Sequence, residues 1–186
     1  DARKSRGLGD VYKRQVHDSW KQKGFPYYPT DEEWRKNKYN QLVSFKRDTL
    51  IDRKNKIIGQ SAHGLNLAWS FMEHAWGIKC GKMKTPIEVW EDEEHLKKGL
   101  NKILSGTFFK QKHHSKITES DMRSMLRRYS GTQMVSNFRP TAAAALYDIF
   151  VDKYSPLEGT EAGIVWDPSM GYGGRLLGAI CAGVNY

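Results

Sequence analysis

Polar and apolar positions alternate along this chain in two different ways, and the change between them divides it. Through most of the first 150 residues the apolar positions keep helical spacing. Leu96, Leu100, Ile103 and Leu104 recur every three or four residues, with Gly106 after them, which predicts one buried face of a helix. Thr85-Pro86-Ile87-Glu88 predicts a helix start: Thr at the N-cap, Pro at the first helical position and Glu at the third. The acidic run from Glu91 to Glu94 marks the end of that helix or the front of the next. Thr118 with Asp121 opens another, with Met122, Leu126 and Tyr129 on one face, Arg123 and Arg127 on another, and Gly131 as its stop. Earlier, Thr30 to Glu33 reads as a capping box that opens a polar helix reaching about Leu50, with Trp34, Leu42 and Phe45 on its buried side. Asp52 to Lys56 is charged and expected to be exposed. The pattern changes at residue 163. Ile164, Val165 and Trp166 form a short apolar run that ends in Asp167-Pro168; a glycine-rich turn follows (Gly171, Gly173, Gly174), then a helical pattern in Leu176, Leu177, Ala179 and Ile180. Strand, glycine turn and helix form the first half of a βαβ unit, with the turn at the carboxyl end of the strand, where such sheets bind ligands.

The type of ligand follows from what the turn lacks and what it carries. Leu176 stands where the dinucleotide fingerprint G-x-G-x-x-G needs its third glycine, and no Gly-Lys-Ser/Thr follows as in a P-loop. Asp167 at the strand tip would repel a pyrophosphate and suits a ligand with a cationic near end. S-adenosylmethionine, with its ammonium and sulfonium, fits better than NAD or ATP. The alternative is an ordinary turn in which Asp167 caps the helix.

The run Asp167-Pro168-Ser169-Met170-Gly171-Tyr172-Gly173-Gly174 resembles the D-P-x-x-G-x-G-[GT] motif I of S-adenosylmethionine-dependent DNA amino-methyltransferases, in the version carried by phage and bacterial DNA methylases, including those of restriction-modification systems. Asn137-Phe138-Arg139-Pro140-Thr141, followed by the alanine-rich stretch to Phe150, is similar to their motif X, a loop and helix that flank the cofactor. The resemblance covers about residues 129–186. It implies an α/β fold class, the start of a Rossmann-like methyltransferase sheet preceded by a mostly helical accessory region. It also implies a cofactor site at Asn137, Phe138, Arg139, Pro140, Thr141, Asp167, Pro168, Ser169, Gly171, Tyr172, Gly173 and Gly174, in which Arg139 or the Thr141 hydroxyl meets the cofactor's carboxylate. The implied activity is methylation of adenine N6 or cytosine N4 in DNA. One departure matters: the catalytic [DNS]-P-P-[YFW] tetrapeptide of these enzymes occurs nowhere in the 186 residues, so the catalytic group is expected beyond Tyr186.

Residues 1–15, DARKSRGLGDVYKRQ, lack apolar periodicity and look like translated adapter sequence; a basic arm that binds nucleic acid is the alternative. The expected organisation is therefore an adapter-like segment 1–15, a helical region 16–117 that could touch DNA, and the beginning of a methyltransferase domain over 118–186.

Charge and composition add a partner class. The formal net charge is +9 and falls to +6 without residues 1–15, which favours a polyanion. Nine Lys/Arg lie between Lys97 and Ser130 against Glu119 and Asp121, with Phe108, Phe109, His113 and His114 among them. Such a stretch can track phosphates and stack on bases, which makes Lys110, Lys112, Arg123, Arg127 and Arg128 candidate nucleic-acid contacts. The glycine-punctuated basic run 77–84 is either a further contact or a surface loop. His74 and Cys80 lack a paired ligand set, so packing rather than zinc is expected for them. Two distant cysteines imply no disulfide framework; with no signal peptide or membrane-spanning run, a cytoplasmic setting is expected. Two rival readings stay open: a non-catalytic nucleic-acid-binding module, and a methyltransferase acting on RNA or protein.

Overall fold

The computed structural model describes residues 2–59, 61–105, 117–128, 131–151 and 163–186, with the backbone alone over 2–10. The chain is rich in helix. In order, α1 is Ala2–Lys23, α2 Glu32–Val43, β1 Ile51–Asp52, β2 Ile57–Ile58, α3 Leu65–Ser70, α4 Pro86–Glu91, α5 Glu93–Leu104, α6 Glu119–Arg128, α7 Pro140–Phe150 and α8 Gly174–Ala182. Short 3-10 turns cover Arg47–Leu50 and Glu73–Gly77. Among the described residues the only sheet is the antiparallel pair β1–β2. Isolated parallel bridges join Lys84 to Thr132 and Ile164 to Asn185.

The chain divides into two compact units, and both are discontinuous: Asp1–Tyr27 with His74–Val135, and Tyr28–Glu73 with Ser136–Tyr186. Residues 28–73 group with the glycine turn, and 118–135 with the helical core.

In the first unit, local signals and packing agree. The Thr85 hydroxyl accepts from Glu88 N–H at 3.1 Å, and the Glu88 carboxylate accepts from Thr85 N–H at 2.7 Å, a complete capping box. Asp92 both ends α4 and caps α5, accepting from His95 N–H at 3.0 Å. Thr118 and Asp121 exchange the same reciprocal bonds at the start of α6. These caps free α4, α5 and α6 to bury Val89, Trp90, Leu96, Leu100, Ile103, Met122, Met125 and Leu126 in one cluster with Trp20 of α1. Trp76 is fully buried and meets the Phe25 ring edge-on at 5.3 Å between centroids. Residues 2–15, within the segment set aside on the sequence, are continuous helix with Val16 to Lys23.

In the second unit two expectations change, and a third gains a structure. The cap of α2 is Asp31 rather than Thr30: its Oδ1 accepts from Trp34 N–H at 2.8 Å. The helix stops at Val43 rather than Leu50, and Leu42 is its buried residue, with Trp34 and Phe45 half-buried. The charged run 52–56 is exposed, as expected, and its residues 53–56 turn a hairpin that pairs Ile51 with Ile58 and Asp52 with Ile57. Asp52 closes that tip by accepting from the Asn55 N–H at 3.0 Å and from its side-chain amide at 2.7 Å.

Helices α7 and α8 pack on each other through small residues. Ala143, Ala144, Ala145, Gly178, Ala179 and Ala182 are buried. A Cβ at Gly178 would lie 2.5 Å from Ala143 Cβ and 2.8 Å from the Pro140 carbonyl oxygen, so the contact is as close as two backbones allow. Val165 joins this core, while its neighbours Ile164 and Trp166 are exposed. That alternation is the period of a strand with one covered face. No described helix is long and apolar enough to cross a membrane.

Candidate cofactor site

The loop before α7 and the glycine turn before α8 meet, although more than 30 residues separate them in sequence. Asn137 makes the junction. Its side-chain amide donates to the Tyr172 carbonyl at 3.0 Å, and its Oδ1 accepts from the Gly174 N–H at 3.3 Å. One side chain thus holds both sides of the turn. Gly174 is as constrained as the junction implies: a Cβ there would sit 1.9 Å from the Phe138 carbonyl oxygen and 2.7 Å from Asn137 Oδ1. Gly173, the N-cap of α8, has φ of 77°, and Gly171 has φ of 65°, conformations glycine adopts without the penalty a Cβ brings. Tyr172 packs against Trp69 with 5.5 Å between ring centroids.

Asp167 lies at the tip of the 164–166 segment. Its Oδ1 accepts from the Ser169 N–H at 3.0 Å, and its Oδ2 accepts from the Tyr186 hydroxyl at 2.6 Å. Arg175, in the first turn of α8, donates from Nε to Oδ2 and from Nη2 to Oδ1 at 3.3 Å. Its Nη2 also meets the Ser169 carbonyl, and its guanidinium lies 5.6 Å from the centre of the Phe138 ring. Arg175 first, then Tyr186 and Ser169, hold the Asp167 carboxyl below the usual carboxylate range. Burial, and after it the neighbouring Asp167, push the Tyr186 phenol up to about 12. Pro168 and Ser169 are exposed at the surface of the turn.

The rest of the motif X block divides by role. Phe138 is exposed and Arg139 half-buried; with Asn137, Ala142, Leu146, Ile58 and Gly59 they line an open recess of about 300 Å³. Pro140 and Thr141 are buried. The Thr141 hydroxyl donates to the Ser61 carbonyl at 3.4 Å, and Arg139 Nη1 reaches the same oxygen at 3.5 Å. The Thr141 hydroxyl is thus buried and turned to the backbone, not to the surface of the turn. Sequence reasoning did not single out Arg175 or Tyr186. The signal for Arg175 was present: a lone cation opening an otherwise apolar helix, eight residues after a carboxylate.

The basic region stands differently. Arg123 donates from Nη1 to the Pro26 and Tyr27 carbonyls at 3.2 and 3.0 Å, and to Glu119 at 3.0 Å. Arg127 lies 5.0 Å from the centre of the Trp76 ring, and burial, with Arg128 beside it, brings its guanidinium down to about 10. Both side chains serve the helical core, whereas Arg128 is exposed. Lys110 and Lys112, with 106–116 as a whole, and Tyr129 and Ser130, lie outside the described residues. A second recess, about 220 Å³, is lined by Lys13, Arg14, His17, Lys97, Leu100 and Asn101. Among the described residues no three His, Cys, Asp or Glu side chains gather as a metal site, and Cys80 and Cys181 are free thiols.

No family model matches this chain. No curated protein and no solved structure matches it either.

Proposed function

We propose that residues 136–186 bind S-adenosylmethionine, and that this chain carries the cofactor-holding part of a DNA methyltransferase acting on adenine N6 or cytosine N4. The observation that carries this reading is the Asn137 junction, which joins the motif X-like loop to the motif I-like turn. Two segments chosen for their separate resemblances are thereby neighbours, as a shared ligand requires. The parallel bridge from Ile164 to Asn185, with α8 between them, supports the Rossmann-like reading: strand, turn, helix and return is the smallest piece of a parallel sheet. The turn fits the ligand sterically, because Gly171 and Gly173 present no side chain where it would approach. When bound, the cofactor would supply a sulfonium methyl group for transfer to an exocyclic amine on a base turned out of its helix.

In this reading the residues of this chain hold and orient the cofactor. None of them supplies the tetrapeptide that would accept the amine's hydrogen bonds, so the chain alone is expected to bind the cofactor without transferring methyl groups. Cytoplasmic DNA is the proposed partner. RNA or protein as the substrate would use the same cofactor site. The test is calorimetric titration of the chain with S-adenosylmethionine, alongside Asp167→Ala. Saturable binding that the substitution abolishes is expected; heat from neither protein would leave the turn a structural element and favour plain nucleic-acid binding.

A further inference from the structure

We infer that Arg175 and Asp167 together clamp the α-amino-acid end of the ligand, with the guanidinium taking its carboxylate and Asp167 its ammonium. This rests on the cofactor reading above and specifies how that site selects its ligand.

The charge arrangement carries the inference. Asp167 alone would suit any cation, but it does not stand alone: Arg175 addresses both of its oxygens from the first turn of α8. The two side chains are 12% and 28% exposed, so water screens them only in part. Together they are a neutral, dipolar site. A purely cationic ligand end meets the repulsion of the guanidinium, and a purely anionic one meets that of Asp167. An end carrying an ammonium and a carboxylate on one carbon can exchange partners with the pair. Each of the four charges keeps an opposite neighbour, so opening the ion pair leaves no charge bare. A guanidinium also presents the forked donors that a carboxylate accepts in pairs.

The surroundings are built for this exchange rather than for a fixed surface pair. The Ser169 N–H and the Tyr186 hydroxyl hold the Asp167 oxygens independently of Arg175, so the carboxylate stays in place when the guanidinium turns to a ligand. Phe138 is exposed and flanks the guanidinium. The other candidates for the carboxylate are committed elsewhere: Thr141 is buried, and Arg139 points to the Ser61 carbonyl.

The test compares S-adenosylmethionine with its decarboxylated form, titrated into the unaltered chain and into Arg175→Gln. The unaltered chain is expected to bind the decarboxylated form about tenfold more weakly, the value of a charge-assisted pair. Arg175→Gln should lose about tenfold for S-adenosylmethionine while binding the decarboxylated ligand no more weakly than the unaltered chain does, so that the preference disappears. A merely structural ion pair would weaken both ligands alike, and that result overturns the clamp. Equal affinity of the two ligands for the unaltered chain overturns it too, without any variant that has to fold. Both of these leave the cofactor reading standing, whereas no binding of either ligand to the unaltered chain overturns both.

Discussion

Two tryptophans mark the difference between the units. Trp76 is fully buried under the Phe25 ring, and Trp166 is 85% exposed at the end of the segment that carries Asp167. The contrast extends to their neighbours. The helical unit puts its large side chains into one cluster built from α1, α4, α5 and α6. The glycine-turn unit packs α7 on α8 through alanine and glycine, and leaves Ile164, Phe150 and Ile180 exposed as well as Trp166. Stability in the first comes from the volume of its side chains. In the second it comes from the closeness of its backbones, the property that brings the glycine turn against the loop before α7.

Trp76→Ala should give the largest effect. Removing a fully buried indole costs about 3–5 kcal/mol, measurable by denaturant unfolding, and Trp166→Ser should by comparison stay within about 0.5 kcal/mol. Equal effects at the two positions would erase the distinction between the units.

Gly174→Ala should come next, at about 1–3 kcal/mol or more, because its Cβ would strike a backbone oxygen that cannot move aside. Hydrogen exchange should then quicken in residues 28–73 and 136–186. Gly99→Ala sharpens the same comparison from the other unit. Its Cβ would meet the Met125 sulfur at 2.4 Å, yet a methionine can swing away, and alanine gains about 1 kcal/mol of helix propensity. That variant is expected near neutrality. If both glycines cost the same, side-chain and backbone contacts do not differ here as described.

The Thr85→Ala variant should lose about 1 kcal/mol, the worth of an N-cap, since its box is complete. The smallest effect is acid sensitivity at the turn. Asp167 titrates below its unfolded value, near 3.9. Its contribution is therefore complete above that pH and is lost as pH falls through the lower, folded value. Unfolding measured from pH 6 down to pH 2 should show a shallower decline in Asp167→Asn than in the unaltered chain. A parallel decline would mean the Arg175 pairing contributes nothing.

How much of this could be read from the sequence depended on how local the cause was. The capping boxes at Thr85 and Thr118, the Leu96–Leu100–Ile103 face, and the turn between Asp167 and α8 are set by residues within four or five positions of each other, and they stand where the pattern put them. The cap at Asp31 rather than Thr30 shows the limit of that logic, since either residue can accept the same bond. The hairpin was missed because charge at 52–56 reads as solvent exposure, although Ile51 and Ile57-Ile58 flank an Asp-x-x-Asn turn. Longer-range causes left no mark. Nothing local says that Asn137 will hold the turn at Tyr172 and Gly174, that Arg123 and Arg127 serve the core, or that residues 28–73 pack with 136–186.

Hydrogen exchange of the unaltered chain with and without saturating S-adenosylmethionine tests the central claim most directly. Slower exchange concentrated in residues 137–141 and 167–177 is the result expected if the loop and the glycine turn share one ligand. Protection confined to the helical unit, or protection that only DNA produces, would contradict it.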